Sequence, residues 1–100
     1  MREGLITLPR TVDTKYHGIL SSKLVDAFGG FTAIEARGAW RDPKSGAIFD
    51  EPVVQYVVAY EPNLKHNEDL TNIAKWVLTA TEELAVYLRF ADGDVKIIDR

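Results

Sequence analysis

Two pairs of carboxylates and one tryptophan are the side chains of this sequence best placed to do chemistry. Asp50 and Glu51 stand together before a valine-rich run, and Glu82 and Glu83 close a long helical pattern. Trp40 precedes a turn-forming DPKSG stretch that leads back to Asp50 and Glu51. Carboxylates at a strand mouth can hold a cation. An indole face attracts one as well, by about 1–2 kcal/mol when the pair is desolvated. Two glutamates at a helix C-terminus sit against the negative end of its dipole, which costs a few tenths of a kcal/mol each. A bound cation would offset that cost. Each feature also has a plain structural reading: a solvated helix end, a solvated hairpin end, and an indole capping the core.

Other groups carry less. Glu35 and Arg37 share a strand face at i and i+2 and read as an ion pair within a sheet or between subunits, worth little if exposed. Arg41 and Lys44 belong to the basic turn. Cysteine is absent, which removes disulfides, thiolate ligands and thiol nucleophiles, and an uncrosslinked chain fits the cytoplasm. The two histidines, His17 and His66, stand in loop-like contexts without ligand-spaced partners, so no metal site is expected. Gly29 and Gly30 follow a helix rather than a strand and are not a phosphate loop. No serine–histidine–acid set can be assembled.

Bulk properties narrow the classes further. A chain of 100 residues is expected to be a single domain, residues 1–100, with a thin core. The formal net charge is −3 and basic residues are scattered, which disfavours nucleic acid as a partner. No apolar run is long enough for a signal peptide or a membrane span.

The elements that must position these residues follow from periodicity. Leu5–Val12 reads as a strand, with Pro9 pointing to an edge or a bulge. Asp13–Gly18 reads as a turn. Ser21 or Ser22 would cap a short helix whose Leu24, Val25 and Phe28 face one way, ended by Gly29 and Gly30. Phe31–Arg41 alternates, with Thr32, Ile34, Ala36, Gly38 and Trp40 on one face. Val53–Tyr60 is the strongest strand and is apolar on both faces. Its hairpin with the preceding strand is expected to set Glu51 across from Trp40. Asn63–Asp69 reads as a polar loop. Leu70, Ile73, Ala74, Val77, Leu78 and Leu84 follow a helical period, capped by Asn67 or Asp69. AVYLRF and VKIID flank an ADGD hairpin signal. The order β-α-β-β-α-β-β makes an α+β, ferredoxin-like sandwich with two helices on one face of an antiparallel sheet and an extra C-terminal strand. Helices cover one face only, so the other calls for a second subunit.

The stretch FGGFTAIEARGAWRDPKSGAIFDEP resembles a small bacterial and phage family of unknown function that carries Arg-Gly-x-Trp-Arg-Asp, a glycine turn, then Glu-Pro before a valine-rich strand. It also resembles phage S-adenosylmethionine-degrading lyases. These place Gly-x-aromatic-Arg before a turn, an acidic residue opening the next strand, and a helix ending in glutamate before a hairpin. The matching positions here are Gly38-Ala39-Trp40-Arg41, Glu51 and Glu82. The aromatic is usually tyrosine there, so a phenol is lost at Trp40, and Tyr56 or Tyr60 is a candidate to replace it.

That resemblance implies a homo-oligomer, a trimer before a dimer, with sites between subunits and no cofactor. It implies an adenosyl sulfonium as ligand. The substrate's own carboxylate displaces methylthioadenosine and leaves homoserine lactone. Glu51 and Glu82 become the catalytic candidates, with Trp40, Arg41, Glu83 and Tyr56 as ligand contacts. The competing classes are a non-catalytic oligomeric module that blocks a host factor, and a small-ligand binder using the same pocket.

Overall fold

The computed structural model describes residues 1–100. Its elements run β1 (Arg2–Pro9), α1 (Thr14–Phe28), β2 (Thr32–Arg41), β3 (Ile48–Tyr60), α2 (Leu64–Ala80), β4 (Ala85–Arg89) and β5 (Val95–Asp99). The five strands form one sheet in the order β2-β3-β1-β4-β5, antiparallel throughout. Both helices lie on one face. This is the expected ferredoxin-like sandwich, with β5 added beside β4. No helix is long and apolar enough to cross a membrane.

The core lies between helices and sheet. Alternation in β3 sends Tyr56, Val58 and Tyr60 toward the helices, where they meet Ile6 and Leu8 of β1 and Val86 and Leu88 of β4. The helices answer with Leu20 and Leu24 from α1 and Leu70, Ile73, Ala74, Val77 and Leu78 from α2, all buried. Full burial of such a side chain is worth about 1.5–3 kcal/mol. Gly4 is required where β1 meets β4, because a Cβ there would lie 2.7 Å from the Arg89 carbonyl oxygen.

Several sequence expectations are corrected. β1 is central, not an edge; Pro9 is its last residue, where a missing N–H breaks no ladder. Helix α1 begins at Thr14, seven residues before Ser21, because Asp13 accepts from the Lys15 amide and caps it. Ser21 lies inside the helix and donates to the His17 carbonyl at 2.8 Å. Val25 turns away from the core and is exposed. Helix α2 likewise starts earlier, with Asn63 as its N-cap rather than Asn67 or Asp69. Both histidines therefore sit on helices. α2 stops at Ala80, so Glu82 and Glu83 lie past its end and Leu84 is exposed off its apolar face. Thr81 ends it: its backbone is extended, and its N–H and hydroxyl both donate to the Val77 carbonyl.

Candidate functional site

The β2–β3 hairpin carries the first half of the site. Its turn is held from within: the Asp42 carboxylate accepts from the Lys44 amide at 2.9 Å, Arg41 donates to the Gly46 carbonyl at 3.0 Å, and Gly46 takes a positive φ of 74°. β3 begins at Ile48, five residues before the valine run. The resulting register pairs Trp40 with Phe49 and Gly38 with Glu51. Glu51 is thus not directly across from Trp40, as expected from the sequence, but diagonal to it on the same sheet face. The Trp40 and Phe49 rings stack at 4.8 Å between centroids and 20° between planes. Both remain nearly half exposed, at 49% and 45%. Gly38 adds no side chain beside Glu51.

Asp50 points the other way and is already engaged. Arg37 forks onto it, Nε to Oδ1 at 2.7 Å and Nη2 to Oδ2. Arg37 therefore pairs with Asp50, while Glu35 lies 3.7 Å from Arg10. The hydrogen bonds from Arg37 hold the Asp50 carboxyl below its ordinary range, and those to Asp50 raise Arg37. The pair is exposed and acts as a register pin.

The second half comes from the connector between α2 and β4. Glu83 is half-buried, within reach of the Glu51 charge. Burial pushes its carboxyl pKa up, and the Glu51 charge pushes it in the same direction. Neither carboxylate joins any of the ion pairs of the protein. Glu82 is exposed. Within one chain it is thus Glu83, rather than the exposed Glu82, whose carboxyl responds to the Glu51 charge. No three His, Asp or Glu side chains are grouped as metal ligands.

Tyr56 lies on the helix-facing side, away from Trp40 and Glu51. Its hydroxyl is 2.6 Å from His17 Nδ1, and His17 Nε2 is 3.0 Å from the Pro9 carbonyl oxygen. A carbonyl only accepts, so Nε2 carries the proton and the Tyr56 hydroxyl donates to Nδ1. Burial raises the Tyr56 pKa. Arg41 alternates to the face opposite Trp40 and is tied to the turn.

The helix-free sheet face carries many apolar side chains, interrupted by Thr7, Gln55 and Arg89. Leu5 and Val53 are already buried among their neighbours, and Ile34, Tyr87, Val95 and Ile97 are exposed. The Thr7 hydroxyl on this face is buried without a hydrogen-bond partner.

Phe49 and His17 were missed in the sequence reading. Running the alternation of Val53, Gln55 and Val57 backwards would have put Phe49 and Glu51 on one face. Nothing comparable marks His17, whose partners come from two other elements.

No protein-family model and no curated protein matches the sequence. Solved structures do match its fold. A phage SAM lyase in complex with S-methyl-5'-thioadenosine superposes with a TM-score of 0.72 at 14% identity, over 98% of this chain and 88% of that chain. A phage SAM lyase in the apo state gives 0.70 at 12% identity, with the same coverage of 98% and 88%. CutA from Synechococcus elongatus PCC7942 gives 0.55 at 15% identity, over 99% of this chain and 75% of that chain. At these identities the likeness is one of fold.

Proposed function

We propose that this protein binds and cleaves S-adenosylmethionine, or a related adenosyl sulfonium, at a pocket on the helix-free sheet face, between subunits of a homo-oligomer. The observation that carries the reading is the unpaired Glu51–Glu83 pair beside an exposed indole–phenyl stack. Two neighbouring carboxylates without a counter-ion favour a cationic ligand, and a flat aromatic surface favours a base. The full-length fold likeness to a phage SAM lyase supports the same reading.

The chemistry divides the roles. The substrate carboxylate oxygen bonds to Cγ, the Cγ–S bond breaks, and its electron pair neutralises the sulfonium. Methylthioadenosine leaves and homoserine lactone remains. Positive charge on sulfur disappears on the way to the transition state. A carboxylate held against sulfur would then stabilise the ground state more than the transition state. The α-ammonium keeps its charge throughout, so Glu51 and Glu83 serve best by holding the ammonium or ribose. Trp40 stacks the adenine, and Glu82, exposed past the helix end, is available to a neighbouring subunit. The protein's contribution is to fold the substrate into a near-attack conformer.

The test incubates the protein with S-adenosylmethionine and EDTA and follows methylthioadenosine by chromatography. Product is expected, and Glu51→Gln, which removes charge but keeps shape, should abolish it. Absence of product together with absence of calorimetric binding would eliminate the reading. The alternative is a non-catalytic oligomeric module whose exposed face engages a protein; exposed Ile34, Val95 and Ile97 favour it, and it predicts neither product nor binding.

A further inference from the structure

Arg100 lies just past β5, far in sequence from the α2–β4 connector, yet it grips that connector at three points. Its Nε donates to the Glu83 carbonyl at 2.9 Å, its Nη2 donates to the Thr81 carbonyl, and its backbone N–H lies 3.4 Å from the Leu84 carbonyl oxygen. The β4–β5 register puts it there, since Asp99 pairs with Ala85. The connector has no regular secondary structure, and its other local tie is the Glu83 amide donating to the Thr81 hydroxyl at 3.2 Å. That segment must nevertheless hold the Glu83 carboxyl in a half-buried place. The planar fork of a guanidinium can span two carbonyls at once; an ammonium acts as a point charge.

The geometry points to Arg100 as a positioning residue that fixes the backbone of Glu83 so that its carboxylate is delivered beside Glu51. The assignment rests on the reading of Glu51 and Glu83 as the site. Arg100 touches main-chain carbonyls and forms no ion pair with either carboxylate. It therefore acts through placement rather than neutralisation, and the ammonium of a lysine cannot replace it.

The experiment compares the full chain with Arg100→Gln and Arg100→Lys. One readout is the pH titration of the Glu83 side-chain carboxyl by carbon-13 NMR. In both variants its midpoint should fall from its raised position toward the ordinary glutamate range, as the freed segment moves out to solvent and away from Glu51. The other readout is turnover of S-adenosylmethionine, where kcat should drop by roughly 10- to 100-fold with a smaller change in KM, the scale expected when a group is misplaced by about 1 Å. An unchanged Glu83 titration in Arg100→Gln overturns the proposal, as does full rescue by Arg100→Lys. Loss of fold in Arg100→Lys, which keeps charge and alkyl stem, also overturns it, in favour of a purely structural role. A shifted titration in a protein whose parent has no turnover keeps the positioning role and removes the lyase reading alone.

Discussion

Replacing Glu83 with glutamine should make the protein more stable at neutral pH. Burial and the Glu51 charge both raise the folded-state pKa of Glu83, so the folded protein binds that proton more tightly than the unfolded chain does. Where the folded state holds more protons, stability falls as pH rises. The contribution is fully favourable below the unfolded value and is lost as pH climbs through the raised folded one. Glu83→Gln removes this penalty and keeps the shape. The group is partly solvated, so burial and the screened Glu51 charge together cost about 0.5–1 kcal/mol, on the scale of exposed ion pairs. For a domain of this size, that is about 2–8 °C in Tm. Urea titrations of parent and variant at neutral pH and near pH 3, at one protein concentration, measure it. The gain should be present at neutral pH and vanish in acid. A variant less stable at neutral pH, or a gain that persists undiminished in acid, would refute the claim that the folded protein holds the Glu83 charge at a cost.

The adjacent valines of β3 test the two sheet faces. Val58 is 1% exposed in the helix-side core, so Val58→Asp loses about 1.5–3 kcal/mol of burial and adds an unpaired buried charge, enough to unfold a marginal domain. Val57 lies on the helix-free face, so Val57→Asp should keep its circular dichroism and scatter light as a smaller particle; a parent protein that is monomeric at micromolar concentration sinks this. Gly4→Ala should cost about 1–3 kcal/mol by urea titration, because the new Cβ meets the Arg89 carbonyl at 2.7 Å, and a neutral result would mean that β1 and β4 part easily there.

Much of the fold was legible because burial and periodicity agree. The run VVQYVVAY is apolar on both faces and became the interior strand β3; Leu70, Ile73, Ala74, Val77 and Leu78 are all buried at the spacing that announced α2. The helix starts were not legible. Ser21 and Ser22 look like caps, but burial of Leu20 draws the helix back to Asp13, and Gly18 is tolerated within it. The site suffered from the same boundary problem. Whether Glu82 or Glu83 faces Glu51 depends on where α2 ends, and that is decided by the Thr81 hydroxyl bonding back to Val77. Likewise Trp40 faces Phe49 rather than Glu51 because β3 starts at Ile48, which the strand-poor run Asp-Glu-Pro before the valines conceals.

Some charges find partners: Arg37 with Asp50, Lys65 with Asp69, the N-terminal amine with Glu61. On the helix-free face the accounting fails repeatedly. Two carboxylates adjoin without a cation, an aromatic stack stands half exposed, and the Thr7 hydroxyl is buried unpaired. Each costs stability that a substitution could recover, and sequences keep such costs where function needs them. A cation between Glu51 and Glu83 removes the repulsion, and a planar ring on Trp40 removes exposed apolar surface. One ligand that is both cationic and aromatic relieves both on the same face, which a purely apolar protein partner would not do: covering that face without a cation would bury the two charges and deepen their conflict.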